Sequence, residues 1–555
     1  MASASLLKLL TTGLQDERLL PKGQAKPFQK AFVKAGRFTT ETYRVDFDNQ
    51  PAFGTTARVT LPRRGHLIRK VFLVTVMPDI SATQAKARAY AANNLPFAGP
   101  TFGWTNSVGH ALLTNATLTI GGAPIDSLNG PLLEVLDEFT TPLEKTTTVN
   151  RMIGRKDSGF TPKSNGFTEQ QTLITPLPFW FARDPSSALP IDAIGTDLVQ
   201  LNIGFNSVNN LYTTTSRWAM PSGYNTGPEF TQDTIELVPT SGSQVTNKCL
   251  VEFMSNDIRI TSPPSNTTAP LTLPPMAGSP FYVLDPSGQD VYGLNGNPEK
   301  SVKVTQIPGI KMADSFQIES SYLLVEYVYI DKPEANRFRL ADLSYPVLQH
   351  YTITQDTKGA ASTRINMRIP NICRQLFFTC HRNDADLLNA PFLATRDLSG
   401  VPITDPSGIG LVAPWWPDAE GLNTTNFGPL IPAYSAVESE PIESLSLNYD
   451  GRLVRYATTS PGFYRSILPS LEQRKSPWHN KYIYNLPFGT NLEDYGIPTG
   501  HANLDKIQKV ELALNFKGAR GSVTPANIQY TVSVYAETYN ILKVYGGRAG
   551  LLFNY

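Results

Sequence analysis

The sequence predicts an all-β protein built as two antiparallel sandwiches, and three observations carry that reading. The composition suits sheets joined by long ordered loops. There are 44 Pro and 40 Gly, aromatic residues make up 10%, and charged residues 17%, against roughly 25% charged in an ordinary soluble protein. Short runs of alternating apolar residues recur between turn residues, the signature of strands with one buried face. Finally, one pattern is written twice. Leu177–Asn206 (LPFWFARDPSSALPIDAIGTDLVQLNIGFN) and Leu486–Phe516 (LPFGTNLEDYGIPTGHANLDKIQKVELALNF) each run from Leu-Pro-Phe through a turn-rich loop and an Asp-containing lead-in to an alternating strand. Val199, Leu201, Ile203 and Phe205 share a face of the first strand; Val510, Leu512, Leu514 and Phe516 share a face of the second. An aromatic β-rich segment follows each copy, Tyr322–Ile330 and Tyr530–Leu542. At 555 residues the chain is too long for one ordinary core.

The elements run in order from an N-terminal arm. Residues 1–37 are basic, with Lys8, Arg18, Lys22, Lys26, Lys30, Lys34 and Arg37 against Asp16 and Glu17, and a short amphipathic piece at Leu6–Leu14. Strands begin at Phe38. Ala57, Val59 and Leu61 alternate with Arg58 and Thr60, the corner Pro62–His66 comes next, and an apolar strand runs from Val71 to Met77. Asp79–Phe102 reads as a loop excursion. Leu112, Ala116, Leu118 and Ile120 line one strand face up to Gly121-Gly122, and Pro131–Phe139 has helical spacing. The segment Asn206–Phe316 is too long for a structureless loop, so strands of its own are expected, one of them in Leu250–Ile260. Asp331–Asp342 reads as a polar helical connector. In the second half come Pro346–Thr357, the alternating Ile365, Met367 and Ile369, an excursion at Asn383–Glu443, then Leu445–Tyr456 and Lys481–Phe488. The division expected is an arm at 1–37, a first sandwich at 38–332 with insertion 206–316, a connector at 333–345, and a second sandwich at 346–555 with insertion 383–443.

Several function classes find no support. A net charge of +1 gives no electrostatic case for direct nucleic-acid binding. Cys249, Cys373 and Cys380 cannot make a disulfide framework and point to a reducing compartment, with buried structural thiols expected. The N-terminus lacks a signal-peptide pattern, and no apolar run approaches the ~18 residues of a membrane span. Synthesis in the cytosol without an anchor is expected. There is no phosphate-cradling Gly-x-x-x-x-Gly-Lys-Ser/Thr run, and Gly408-Ile409-Gly410 reads as a surface turn. His66, His110, His350, His381, His479 and His501 are scattered without metal-ligand spacing. Glu134, Asp137 and Glu138 read as a solvated helix face, and Phe179, Trp180 and Tyr327 as core. No catalytic, cofactor or metal residue is assigned. Glycosylation triplets start at Asn115, Asn266 and Asn423, with Asn115 on the outward face of a strand.

Segments spread over nearly the whole chain resemble the major capsid proteins of nucleocytoplasmic large DNA viruses. They include Gly13-Leu14-Gln15-Asp16, Phe53-Gly54, and Arg63-Arg64-Gly65-His66-Leu67-Ile68, where the family usually has an acidic residue in place of His66. Gly109–Leu113, Ile120-Gly121-Gly122 with Ile125-Asp126, and Met152-Ile153-Gly154 continue the set, and Pro176–Phe181 with Ala188-Leu189-Pro190 is the fullest match. Val325–Asp331 with Arg337-Phe338, Pro498-Thr499-Gly500 with Asn503 and Asp505, and Tyr535–Leu542 with Gly546–Leu551 complete it. The two long insertions are poorly covered.

The resemblance implies two consecutive jelly rolls per chain, and a homotrimer whose six rolls give a roughly hexagonal capsomer. It implies lateral contacts with neighbouring capsomers and minor capsid proteins, an inner membrane beneath the shell as a candidate neighbour, and a virion capsid assembled in the host cytoplasm. It implies no enzymatic activity. An insertion at 206–316 between the last two strands of the first roll should point outward from the shell. A second reading is a jelly-roll attachment or glycan-binding protein of the virion surface, using that insertion. A cupin-type enzyme is disfavoured because the clustered His and carboxylate ligands it needs are absent.

Overall fold

Among the described residues, sixteen strands frame two sandwiches of the same design, and the short strands Ala502–Asn503 and Arg548–Leu551 pair onto the second. The computed structural model describes residues 37–81, 102–155, 169–214, 216–219, 230–232, 237–239, 250–254, 257–261, 302–304, 310–312, 317–383, 391–392, 394, 440–451, 453–477, 481–493, 499–517 and 529–553. The first eight strands are β1 (Phe38–Asp46), β2 (Thr56–Thr60), β3 (Leu67–Met77), β4 (Leu113–Ile120), β5 (Ala123–Leu128), β6 (Gln171–Pro176), β7 (Val199–Phe205) and β8 (Ser320–Ile330). The second eight are β9 (Leu343–Asp356), β10 (Ser362–Met367), β11 (Ile372–Arg382), β12 (Ile442–Tyr449), β13 (Leu453–Thr458), β14 (Ile483–Pro487), β15 (Val510–Phe516) and β16 (Tyr530–Tyr545).

The first set pairs in the orders β1-β8-β3-β6 and β2-β7-β4-β5. The second pairs as β9-β16-β11-β14 and β10-β15-β12-β13, so each strand has its counterpart eight strands later. Consecutive strands alternate between the two facing sheets except at the β4–β5 and β12–β13 hairpins, which is the jelly-roll topology. The repeated sequence pattern lands on β7 and β15, each second in its sheet. Their registers match as well. Leu201 lies between Val59 and Leu118, and Leu512 lies between Ile365 and Leu447. All six are buried, because alternate residues of a strand face the same core. Each roll also turns the corresponding hairpin on two left-handed residues, Gly121-Gly122 (φ 59° and 86°) between β4 and β5, and Asp450-Gly451 (φ 50° and 70°) between β12 and β13. Two positive φ values in a two-residue loop match the twist of the flanking strands.

Four strand expectations are corrected. β3 starts at Leu67, ahead of Val71, and Leu112 caps the short helix Val108–Ala111 instead of lying in β4. β9 starts at Leu343, so Pro346 stands inside the strand. β9 is the edge of its sheet, where a residue without an N–H is tolerated. The stretch Leu445–Tyr456 is divided by the Asp450-Gly451 turn.

The two longest helices among the described residues are α1 (Gly130–Thr140), between β5 and β6, and α2 (Lys332–Leu340), leading into β9. Asn129 caps α1, its side chain accepting from the Leu132 amide at 2.8 Å. Inside the β7–β8 connection, short strands pair among themselves, Ser216–Ala219 with Leu250–Met254 and Leu250–Met254 with Asp257–Thr261. Phe102–Trp104 of the β3–β4 connection pairs with Tyr212–Thr214 of the β7–β8 connection, so both connections leave the same end of the first roll. The amphipathic piece Leu6–Leu14, the Gly408–Gly410 turn and nearly all of 383–443 lie outside the described residues.

The β9-β16-β11-β14 sheet is buried on both faces. Leu376, Phe378, Val534 and Ala536 point into the second roll's core. Phe377, Tyr535 and Ile483, one residue out of phase, join Val347, Leu348, Leu542 and Val544 in the core that continues from the first roll. Residues Thr40–Tyr555 accordingly form one compact unit; of the separate unit Met1–Thr39, only residues from 37 on are described.

Candidate functional site

The candidate functional feature of this fold is the seam between its two rolls, where an apolar stack is flanked by two buried charged clusters. The stack is Phe139 of α1 on Phe377 of β11, ring centres 5.0 Å apart and planes 25° apart. Both rings are fully enclosed.

The first cluster is built on α1. Glu134 accepts from Lys481 Nζ, Arg155 Nη2 and His110 Nδ1, each at 2.7 Å. Lys481 also reaches Glu138, which lies 3.4 Å from Lys475 and 3.6 Å from Arg155. Asp137 pairs with Arg155 at 2.5 Å. Three carboxylates thus face three permanent cations, with Lys475 and Lys481 supplied by the second roll. Burial pushes Glu134 upward, but the Arg155 and Lys481 charges more than offset it and hold the carboxyl well below the usual range. The same opposition lowers Asp137 and raises Arg155.

The second cluster surrounds Glu537 of β16, which is fully buried. Arg183 of the first roll donates to it, as do Arg374 at 3.0 Å and Gln375 at 2.6 Å. His350 of β9 lies with Nδ1 3.1 Å from Asp126 of β5 and Nε2 3.7 Å from Glu537. Burial opposes a charged imidazole here, as does Arg183 at 3.1 Å, yet the two carboxylates prevail and raise its pKa. Burial likewise opposes ionisation of Glu537, and Arg183 and Arg374 carry it well below the usual value. Backbone contacts close the seam. Gln349 donates to Ile125 O at 2.6 Å, Thr196 N to Gly547 O at 2.8 Å, and Ala549 N to Asp197 at 3.1 Å.

This arrangement holds charges in place instead of moving protons. The carboxylates are saturated by cations and enclosed by protein, so no substrate atom can reach them. The solvated face expected for Glu134, Asp137 and Glu138 is therefore corrected: Glu134 and Glu138 are 3% and 0% exposed. Their partners stand far away in sequence, and three acids set among the apolar residues of PLLEVLDEF were the local sign. Phe179, Trp180 and Tyr327 are core, as expected. Cys373 and Cys380 are buried free thiols, both pushed up by burial, whereas Cys249 lies outside the described residues. Asn115 is exposed on β4; Asn266 and Asn423 lie outside the described residues. Among the described residues no group of three or more His, Cys, Asp or Glu side chains is placed to hold a metal ion, and no helix is long and apolar enough to cross a membrane.

Comparison with known proteins gives the seam its context. Residues 27–241 match a model described as the major capsid protein N-terminus, and residues 336–550 match one described as the large eukaryotic DNA virus major capsid protein. The chain is similar to the major capsid protein of Phaeocystis pouchetii virus, 23% identical over the full length of both. It is 26% identical to probable capsid protein 4 of Acanthamoeba polyphaga mimivirus over 38% of this chain, a match that spans only 39% of that relative. Its fold resembles the crystal structure of PBCV-1 VP54, with a TM-score of 0.59 at 16% identity over 95% of this chain and 100% of that one. The two family models between them take in every sandwich strand except β8, in the same order as the two rolls. This chain belongs to the major capsid protein family of the nucleocytoplasmic large DNA viruses.

Proposed function

We propose that this chain is the structural shell subunit of a large DNA virus, that three copies form a pseudo-hexagonal capsomer, and that capsomers tile an icosahedral shell. The observation that carries the reading is the equivalence of the two rolls. One strand order is used twice, and the seam locks the two rolls at a fixed relation, so a three-fold ring of such chains presents six similar walls to its neighbours. The chain has no catalytic role in this account. Its partners are two further copies, neighbouring capsomers and minor capsid proteins, with an inner membrane as a candidate neighbour, in a virion assembled in the host cytoplasm. The division is an arm at 1–37, rolls at 38–332 and 346–555, and a connector at 333–345, with the first strand of the second roll reaching back to Leu343. The insertion at 206–316 points outward, on the strength of its origin between β7 and β8 at the end shared with the β3–β4 connection. Light scattering on the purified chain tests the reading. A mass three times the 61.0 kDa chain is expected, and a stable monomer would overturn it.

A further inference from the structure

We propose that the helical stretch Phe463–Glu472 docks on the outer face of the β1-β8-β3-β6 sheet of a second copy of this chain, repeating between copies the contact that α1 makes within one. The proposal rests on the trimeric reading and names the two surfaces through which the ring closes.

The two helices hold the same place in the topology. α1 lies in the β5–β6 connection of the first roll, and Phe463–Glu472 in the β13–β14 connection of the second. Their surroundings differ. α1 is buried nearly all round, because one side lies on its own roll and the other carries Phe139, Glu134 and Glu138 against the second. A helix apolar or charge-paired on every side belongs between two layers. Phe463–Glu472 is covered on one side only. Tyr464 meets Tyr456 edge-on at 5.5 Å, Arg465 lies 3.3 Å from Glu440, and Pro469 is buried. On the other side Phe463, Ile467 and Leu471 are 40%, 46% and 73% exposed. Spaced four apart, they form one apolar stripe along the helix.

The complementary surface is on the first roll. The outward residues of its sheet stand in register across three strands, Leu324–Phe72–Pro176 in one row, all half-buried, and Tyr322–Val74–Ile174 in the next, where Val74 is already buried and Arg44 lies over the Tyr322 ring. The Leu324–Phe72–Pro176 row is the accessible part of this face, and apolar residues left accessible side by side mark a contact surface. Beside Phe72 opens a groove of about 210 Å³, walled by Lys70, Pro176, Pro178 and Ala182. On the second roll the corresponding face carries Phe377 and Tyr535, and there α1 covers it. One chain thus has a helix lacking its second layer and a sheet face lacking its helix, in positions whose counterparts are joined within the chain. Two different patches that fit each other make a head-to-tail contact, and such contacts close into a ring when the rotation allows. With two rolls per chain, three copies give six repeats of one contact.

The test is a thiol–thiol cross-link of ~10 Å reach, of the order of the spacing between packed layers, on the purified double variant Phe72→Cys/Ile467→Cys, with each single variant as control. Covalent dimers and trimers are expected from the double variant alone. The variant Ile467→Asp, on an exposed position, should keep the wild-type melting temperature and lose at least tenfold in trimer affinity. If the wild type is trimeric but the double variant does not cross-link and Ile467→Asp still forms trimers, the docking is wrong while the trimeric reading stands. If the wild type is monomeric, both fail. A thiol–amine linker on Phe72→Cys that couples instead to lysines within residues 1–36 of its own chain would assign the sheet face to the N-terminal arm and overturn the proposal.

Discussion

Lys481 donates to Glu134 at 2.7 Å, joining residues 347 positions apart, one on the approach to β14 and the other on α1. Neither side chain keeps contact with water: Glu134 is 3% and Lys481 3% exposed. Taking both ions out of water costs several kcal/mol apiece, so such a pair adds little net stability over an apolar contact of the same shape. What it supplies is exclusivity. Another placement of the two rolls would cost Lys475 and Lys481 these carboxylates and leave Glu134 and Glu138 with Arg155 alone among the permanent cations. The seam therefore fixes how one sandwich sits on the other, the relation a shell subunit must keep if its two halves are to serve as equivalent walls.

Removing one partner should expose that dependence. Lys481→Met keeps most of the volume but leaves Glu134 and Glu138 facing one fewer cation, and a loss of about 3–5 kcal/mol is expected. Lys509→Met, in a pair with Glu511 whose lysine is half exposed, should stay within about 0.5 kcal/mol. Urea unfolding of the two variants beside the wild type makes the comparison, and equal midpoints would contradict the account.

The aromatic contact at the centre of the seam should behave as a coupled pair. Phe139→Ala and Phe377→Ala should each cost about 3–5 kcal/mol through the cavity left behind. The double variant should cost less than their sum by about 0.5–1.5 kcal/mol, the share belonging to the stacked rings. A double-mutant cycle on unfolding free energies reads this directly.

How much of this was legible beforehand depended on how local each signal was. Burial of one sheet face is written every second residue, so β7, β15 and their duplication could be read from Val199–Phe205 and Val510–Phe516. The helical spacing in Pro131–Phe139 likewise located α1. The charged seam could not be read that way. Glu134 and Glu138 stand four apart, the usual pattern of a solvated helix face, and their burial depends on Arg155, Lys475 and Lys481, which only the tertiary fold brings near. Asp450-Gly451 did carry a local hairpin signal, hidden by the apolar residues running through Leu445–Tyr456. Pro346 suggested a strand start because its tolerance inside β9 depends on that strand being an edge, a property of the sheet and not of the sequence.

His350 makes the seam sensitive to pH. Its folded pKa is raised above the ordinary 6.5, so its contribution is fully present below about pH 6.5 and fades as pH rises through the raised value. The urea midpoint should fall across that range, and His350→Gln should flatten the fall. Glu134 and Glu537 act in the opposite sense. With folded values well below the ordinary carboxylate range, they stabilise above about pH 4.3 and lose that effect as acid protonates them. Unfolding midpoints measured at intervals from acid to mild alkali would show both limbs.

The cap on α1 is open to a smaller test. Asn129→Ala leaves the Leu132 amide without the side-chain acceptor now at 2.8 Å and should cost about 0.5–2 kcal/mol, whereas Asn129→Asp should restore most of it. Thermal unfolding of the pair would separate capping from packing.

The most direct test of the whole account is an electron micrograph of the purified oligomer viewed down its symmetry axis. Two equivalent rolls in each of three chains predict a three-fold particle with six similar lobes around its rim. A two-fold particle, or a three-fold one with only three lobes, would contradict it.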